Sequence, residues 1–214
     1  MRDSTGRDHP LWGMFLREYN IPQHYWTATL ENIDSPFAAA GRNLMENFRD
    51  HLVSKNRPLE DYPADPSTIG RGLIFSGAPG AGKTHSAIAT ALDIAARYGR
   101  SVRPYYLPAA EFIETYHARM DLPSDSDEWW ALTETIDNAE QSGLLVLDDM
   151  GKEHRAQSGY SVSLIDSLLR RRHDNGRPTI ITSNFRPHEW GSEYSKAMES
   201  FLVRAFDKVS WAGK

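Results

Sequence analysis

Residues Leu73 to His85 read LIFSGAPGAGKTH, and within them Gly77 to Thr84 follow the spacing G-x-x-x-x-G-K-T. Four fixed residues at average composition meet by chance roughly once in 30,000 positions, so this stretch constrains the fold more than any other. Its surroundings agree with it. Leu73, Ile74 and Phe75 form a short apolar run suited to a strand buried on both faces, and from Thr84 onward Ile88, Ala91, Leu92 and Ala95 recur at helical intervals. A strand, a glycine loop and a helix in that order commit the chain to an α/β architecture.

The chemistry of the loop follows from its residue types. Gly77, Gly80 and Gly82 lack the Cβ atoms that would keep a ligand from the backbone, so several N–H groups can converge on a triphosphate. The helix that follows adds the partial positive charge of its N-terminus. The candidate nucleotide-binding residues are therefore Gly77, Ala78, Pro79, Gly80, Ala81, Gly82, Lys83, Thr84 and His85. Lys83 would serve as a point charge on the β and γ phosphates of ATP, and the Thr84 hydroxyl would ligate Mg²⁺.

A chain of 214 residues suits one domain with a short appendage. The absence of cysteine excludes disulfides, Cys-ligated zinc and a cysteine nucleophile, and points to a cytoplasmic compartment. No signal-like h-region opens the chain, and no apolar run approaches the length of a membrane helix. The net charge of −5 argues against general nucleic-acid binding. It is unevenly spread: Pro108 to Met150 holds one basic and eleven acidic residues, giving −10, whereas Arg170 to Lys214 holds nine basic and five acidic, giving +4.

Along the chain, Pro10 starts a short helix on which Leu11, Met14, Phe15 and Tyr19 can share a face, either packed on the core or held out for a partner. Phe37 to Val53 reads as an amphipathic helix, and Leu59 to Gly70 as a loop. Val102 to Leu107 is a second strand, which Pro104 confines to a sheet edge. Helices are expected over Ala109 to Met120, Asp127 to Gln141, Val162 to Arg172 and Met198 to Phe206. Leu144 to Leu147 is a buried strand ending in Asp148 and Asp149, where ligands of open parallel sheets bind. Asp148 can hold Mg²⁺, and Asp149 can orient or deprotonate the attacking water. Thr179 to Thr182 is a fourth strand, with Asn184 at its end as a polar sensor of the γ phosphate, and Val209 to Trp211 can add a fifth at an edge. These elements describe an α/β P-loop NTPase with a five-stranded parallel sheet flanked by helices.

The order P-loop, strand ending in Asp-Asp, strand ending in a polar sensor resembles the AAA+ branch of the P-loop ATPases. GAPGAGKTH, LLVLDDMGKE and RRRHDNGRPTIITSNF are more closely similar to the bacterial and phage helicase-loader ATPases, which are related to the helper ATPases of certain transposons. The similarity runs from about Ile21 to Lys214, dividing the chain into a short N-terminal extension, 1–20, with a possible partner-binding helix, and an AAA+ core, 21–214, without a clear lid. The resemblance implies an interior P-loop strand and an arginine finger that completes a neighbour's ATP site. Arg204 in Phe-Leu-Val-Arg-Ala-Phe matches its position, with Arg170, Arg171, Arg172 and Arg186 as competitors. It further implies an ATP-dependent homo-oligomer, a replicative DNA helicase as partner, and contact with single-stranded DNA, against which the acidic helices after the second strand count. A transposition helper, a small-molecule phosphotransferase and a module that holds ATP without turning it over are the alternatives; Asp149 and Asn184 count against the last two.

Overall fold

In the computed structural model, which describes residues 7, 9–51, 65–99, 102–151 and 159–211, the apolar run at Phe75 becomes β1 (Gly72–Ser76). It is joined by β2 (Pro104–Pro108), β3 (Leu144–Met150), β4 (Thr179–Ser183) and β5 (Phe206–Ser210) in one sheet of order β2-β3-β4-β1-β5. Every pairing is parallel. β2 lies at an edge and begins at Pro104, as the missing proline N–H requires. The fifth strand begins earlier than the reading from Val209, because Phe206 leaves the preceding helix with an extended backbone and pairs with Gly72.

The pleat divides the core. Leu73, Phe75, Leu144, Val146 and Ile180 face one helical layer, whereas Ile74, Leu145, Leu147 and Ile181 face the other. On the first face lie α1 (Trp12–Glu18), α2 (Pro36–Glu46) and α4 (Lys83–Tyr98). On the second lie α5 (Ala109–Met120), α6 (Asp127–Gln141), α7 (Gly159–Asp174) and α9 (Lys196–Ala205). The four-residue α3 (Phe48–His51) and α8 (Trp190–Glu193) complete the order. α4 is buried well beyond the stripe of Ile88, Ala91, Leu92 and Ala95, since α2 packs over its outer side. Gly41 permits that approach: a Cβ there would stand 2.1 Å from Thr90 Oγ1.

Two helices depart from expectation. The run from Phe37 breaks at Asn47, whose side chain donates to the Asn43 carbonyl and amide oxygens and so competes with helical continuation; Leu52 and Val53 lie outside the described residues. On α1 the buried residues are Phe15 and Leu16, joined by Tyr19 just beyond it, while Leu11 and Met14 are 45% and 47% exposed. The first face of that helix is thus split between core and solvent.

Candidate active site

The parallel sheet brings the C-terminal ends of β1, β3 and β4 side by side, and each contributes one part of the site. Beyond β1 the loop turns through Gly80 at φ 81° and Gly82 at φ 82°, left-handed conformations that favour glycine, and Gly82 caps α4. Gly77 is needed for space as well: a Cβ there would meet the Trp211 carbonyl oxygen at 1.8 Å.

Lys83 is the first residue of α4 and is nearly buried, with its ammonium folded back on the loop. Its Nζ donates to the Gly77 and Ala78 carbonyls at 2.9 Å each and to Asn184 Oδ1 at 2.9 Å. The sensor amide therefore meets the loop lysine directly, with its NH₂ end left to face a ligand.

Asp148 is 5% exposed, and three neutral hydroxyls fix it. Thr84 Oγ1 and Thr182 Oγ1 donate to its Oδ1 at 2.8 and 2.6 Å, and Tyr106 donates to its Oδ2 at 2.9 Å. No cation pairs with it among the described residues. A buried carboxylate solvated only by hydroxyls, beside a threonine, fits a hard divalent cation that takes its remaining ligands from phosphate and water. Among the described residues no group of three or more His, Asp or Glu could hold a metal without such help.

Asp149 sits at φ 56°, a left-handed conformation costly for a non-glycine residue, where the register of β3 against β4 shifts. The Thr182 hydroxyl accepts the Asp149 N–H at 2.9 Å while donating to Asp148, so one side chain of β4 holds both aspartates. Gly151 follows at φ 111°, with the Phe185 ring against the face where a Cβ would stand.

A cleft of ≈ 370 Å³ opens over these groups, lined by Tyr25, Pro79, Gly80, Gly82, Lys83, Thr84, His85, Asp149 and Asn184. Gly77 and Ala78 do not line it, and their carbonyls accept from Lys83 Nζ; Ala81 is packed into the core. His85 meets Tyr25 edge-on at 5.8 Å. Burial raises the Tyr25 phenol above its ordinary pKa, and the charges of Asp148 and Asp149 add to the rise. Burial, then Asp148, raise Tyr106 much further, so it stands as a neutral donor.

Arg204 is not brought to this cleft. It lies exposed in the last turn of α9, with its carbonyl accepting from Arg71. Of its competitors, Arg172 is fully buried and donates to the Ala139, Glu140, Ser142 and Pro178 carbonyls and to Thr179, which makes it a structural staple between α6, α7 and β4. Arg170 pairs with Asp166 and stacks on Phe201, and Arg171 pairs with Glu140. Arg186 is exposed at the start of the turn before α8. Sequence reasoning missed Tyr25, Tyr106 and the bridging role of Thr182; a hydroxyl two residues before the sensor Asn184 was the available signal for Thr182.

The model of the family described as IstB-like ATP binding protein matches residues 69–206. Among curated proteins none matches the chain significantly by sequence. Similar solved structures include the DnaC helicase loader, at 24% identity and TM-score 0.67, covering 88% of this chain and 99% of that one. DnaI is similar at 22% identity and TM-score 0.63, covering 89% and 94%. AMPPCP-bound DnaA from Aquifex aeolicus is similar at 17% identity and TM-score 0.60, covering 86% and 50%. These likenesses show the fold, a five-stranded parallel α/β sheet of the P-loop NTPase kind. No helix among the described residues is long and apolar enough to cross a membrane.

Proposed function

Since this chain belongs to the family of IstB-like ATP-binding proteins, we propose that it is a Mg²⁺-dependent ATPase that binds a replicative DNA helicase and assists its loading on single-stranded DNA. The observation that carries the ATPase half is the convergence of Lys83, Thr84, Asp149 and Asn184 on one cleft, with Asp148 directly beneath. The loader half is supported by the extent of the fold correspondence with the DnaC helicase loader, which spans nearly all of that chain.

In this reading the loop N–H groups bind the triphosphate, and Lys83 exchanges its carbonyl partners for phosphate oxygens. Thr84 and Asp148 would hold Mg²⁺, which supplies charge neutralisation on the phosphates when bound. Asp149 orients the attacking water and takes its proton. Asn184, its oxygen held by Lys83, donates its NH₂ to the γ phosphate or to that water. Arg204, standing outside its own cleft, completes the site of a neighbouring copy in an ATP-dependent homo-oligomer, where its fork meets the developing phosphate charge. Residues 1–20 form the extension and 21–214 the core, and the exposed Leu11 and Met14 offer the helicase an apolar face.

The test is the mass of the purified chain mixed with the cognate helicase, with and without ATP, using Lys83→Ala as the nucleotide-blind control. A complex of defined stoichiometry that ATP alters in the wild type only supports the reading; no complex in any nucleotide state, with hydrolysis intact, sinks the loader half. The family description favours transposition help as a second reading, which predicts a transposase complex and duplex DNA binding instead. The charge of −10 between Pro108 and Met150 weighs against the latter.

A further inference from the structure

We propose that Tyr106 is a positioning residue for the Asp148 carboxylate, and that its backbone ties this position to the N-terminal arm that ends at Asn20. The proposal rests on the ATPase reading above and deepens it.

Two threonine donors share Asp148 Oδ1, which leaves that oxygen a pivot about which the carboxylate plane can turn. Oδ2 is held by the Tyr106 phenol at 2.9 Å, and this bond sets the plane. A phenylalanine would fill the same space in the core, where the ring is 8% exposed, so packing alone does not call for the hydroxyl. Donors that fix a ligand from behind set both its orientation and its affinity for the metal, typically by about 10- to 100-fold.

The main chain of the same residue faces away from β3, toward the open edge of the sheet. There its N–H donates to the Tyr19 carbonyl at 3.0 Å, and its carbonyl accepts from Asn20 Nδ2 at 3.0 Å. Asn20 adopts φ 56° at this point, a conformation asparagine tolerates better than most residues. The end of the α1 arm thus grips β2 at one residue through both its N–H and its carbonyl, in place of a further strand. That residue's phenol reaches the carboxylate proposed to hold Mg²⁺.

The experiment titrates Mg²⁺ into the 214-residue chain bound to a fluorescent ATP analogue, following analogue fluorescence, in the wild type, Tyr106→Phe and Asn20→Ala. Tyr106→Phe is expected to remain folded with a thermal transition lowered by a few degrees, and to keep its analogue affinity in EDTA while requiring about tenfold more Mg²⁺ for half-maximal effect. In an Asp148→Asn background the same substitution is expected to shift nothing further. Asn20→Ala, which leaves the ring in place and so keeps the test decisive should Tyr106→Phe unfold, is expected to shift the Mg²⁺ requirement in the same direction, several-fold. A Tyr106→Phe titration that overlays the wild type, or a full shift persisting without the Asp148 carboxylate, overturns the positioning role; an unchanged Asn20→Ala titration overturns the link to the arm. A wild-type chain that binds no nucleotide fails the ATPase reading itself, a result distinct from these.

Discussion

Replacing Thr182 by valine removes one hydroxyl and almost no volume, yet it is expected to destabilise the chain by about 3 kcal/mol. The side chain is fully buried, its hydroxyl donates to Asp148 Oδ1 at 2.6 Å, and the same oxygen accepts the Asp149 N–H at 2.9 Å. A hydrogen bond to a charged group contributes about 1.5–3 kcal/mol, and a part-buried N–H left without its acceptor costs about 1 kcal/mol more. No cavity term enters, because valine occupies the same space. Against a total stability of roughly 5–15 kcal/mol and a urea slope of about 3 kcal/mol/M, the unfolding midpoint should fall by about 1 M. Urea melts followed by far-UV circular dichroism measure this, with Thr182→Ser as the control that keeps the hydroxyl and loses one methyl, about 1 kcal/mol. The strained backbone at Asp149 depends on the same bond, so ATP hydrolysis should drop further in the valine variant than ATP binding does. A valine variant within about 0.5 kcal/mol of wild type would refute the bridging role assigned to this hydroxyl.

Gly77→Ala places a Cβ 1.8 Å from the Trp211 carbonyl oxygen at φ 157°, so it should cost about 1–3 kcal/mol from backbone strain and more from the displaced chain after β5, read as a lowered midpoint in the same melts. Arg204→Lys should leave folding and ATP binding at wild-type values while hydrolysis by the assembled oligomer falls by about 10³-fold, measured as phosphate release; full activity would return the finger to Arg186. Burial holds the His51 imidazole below its ordinary pKa, outweighing the bond to the Arg71 carbonyl that pulls it up. The neutral ring is the folded form, so its contribution is fully present above about pH 6.5 and is lost as pH falls through the lowered value. Melts at pH 7.5 and 5 should show a larger loss for wild type than for His51→Gln, and equal losses would remove His51 from the acid response.

The sheet was legible because its strands are short apolar runs bounded by glycine, proline or aspartate, and because Pro104 can stand only at a strand start or an edge. The P-loop, Asp148, Asp149 and Asn184 were legible for a related reason: each sits at the end of such a run. What escaped depends on contacts distant in sequence. Tyr106 alternates along β2 like any aromatic of an edge strand, and nothing local says that its hydroxyl reaches a carboxylate 42 residues away. Arg172 looked like one of three equivalent arginines in the run Arg170 to Arg172. Helical phase alone decides that Arg170 and Arg171 meet acidic partners at the surface while Arg172 turns inward to a ring of carbonyls. The break at Asn47 escaped because apolar spacing continues across it, whereas the side chain's own hydrogen bonds do not appear in a periodicity.

The strand order explains how the side chains of the site hold one another. β4 lies between β3 and β1, so the residues at its end can touch both the acidic pair on one side and the phosphate loop on the other. Thr182 bonds Asp148 and Asp149, and two residues later Asn184 bonds Lys83. A change in what Lys83 holds is therefore felt by the same strand end that fixes the two aspartates, through side chains rather than through movement of the sheet. In the proposed reading, phosphate that drew Lys83 away from the Gly77 and Ala78 carbonyls would also redirect the Asn184 amide, while the Thr182 hydroxyl would still hold the Asp149 N–H. That reading divides the labour: the buried hydroxyl would supply constancy, and the exposed amide would supply the response to what occupies the cleft.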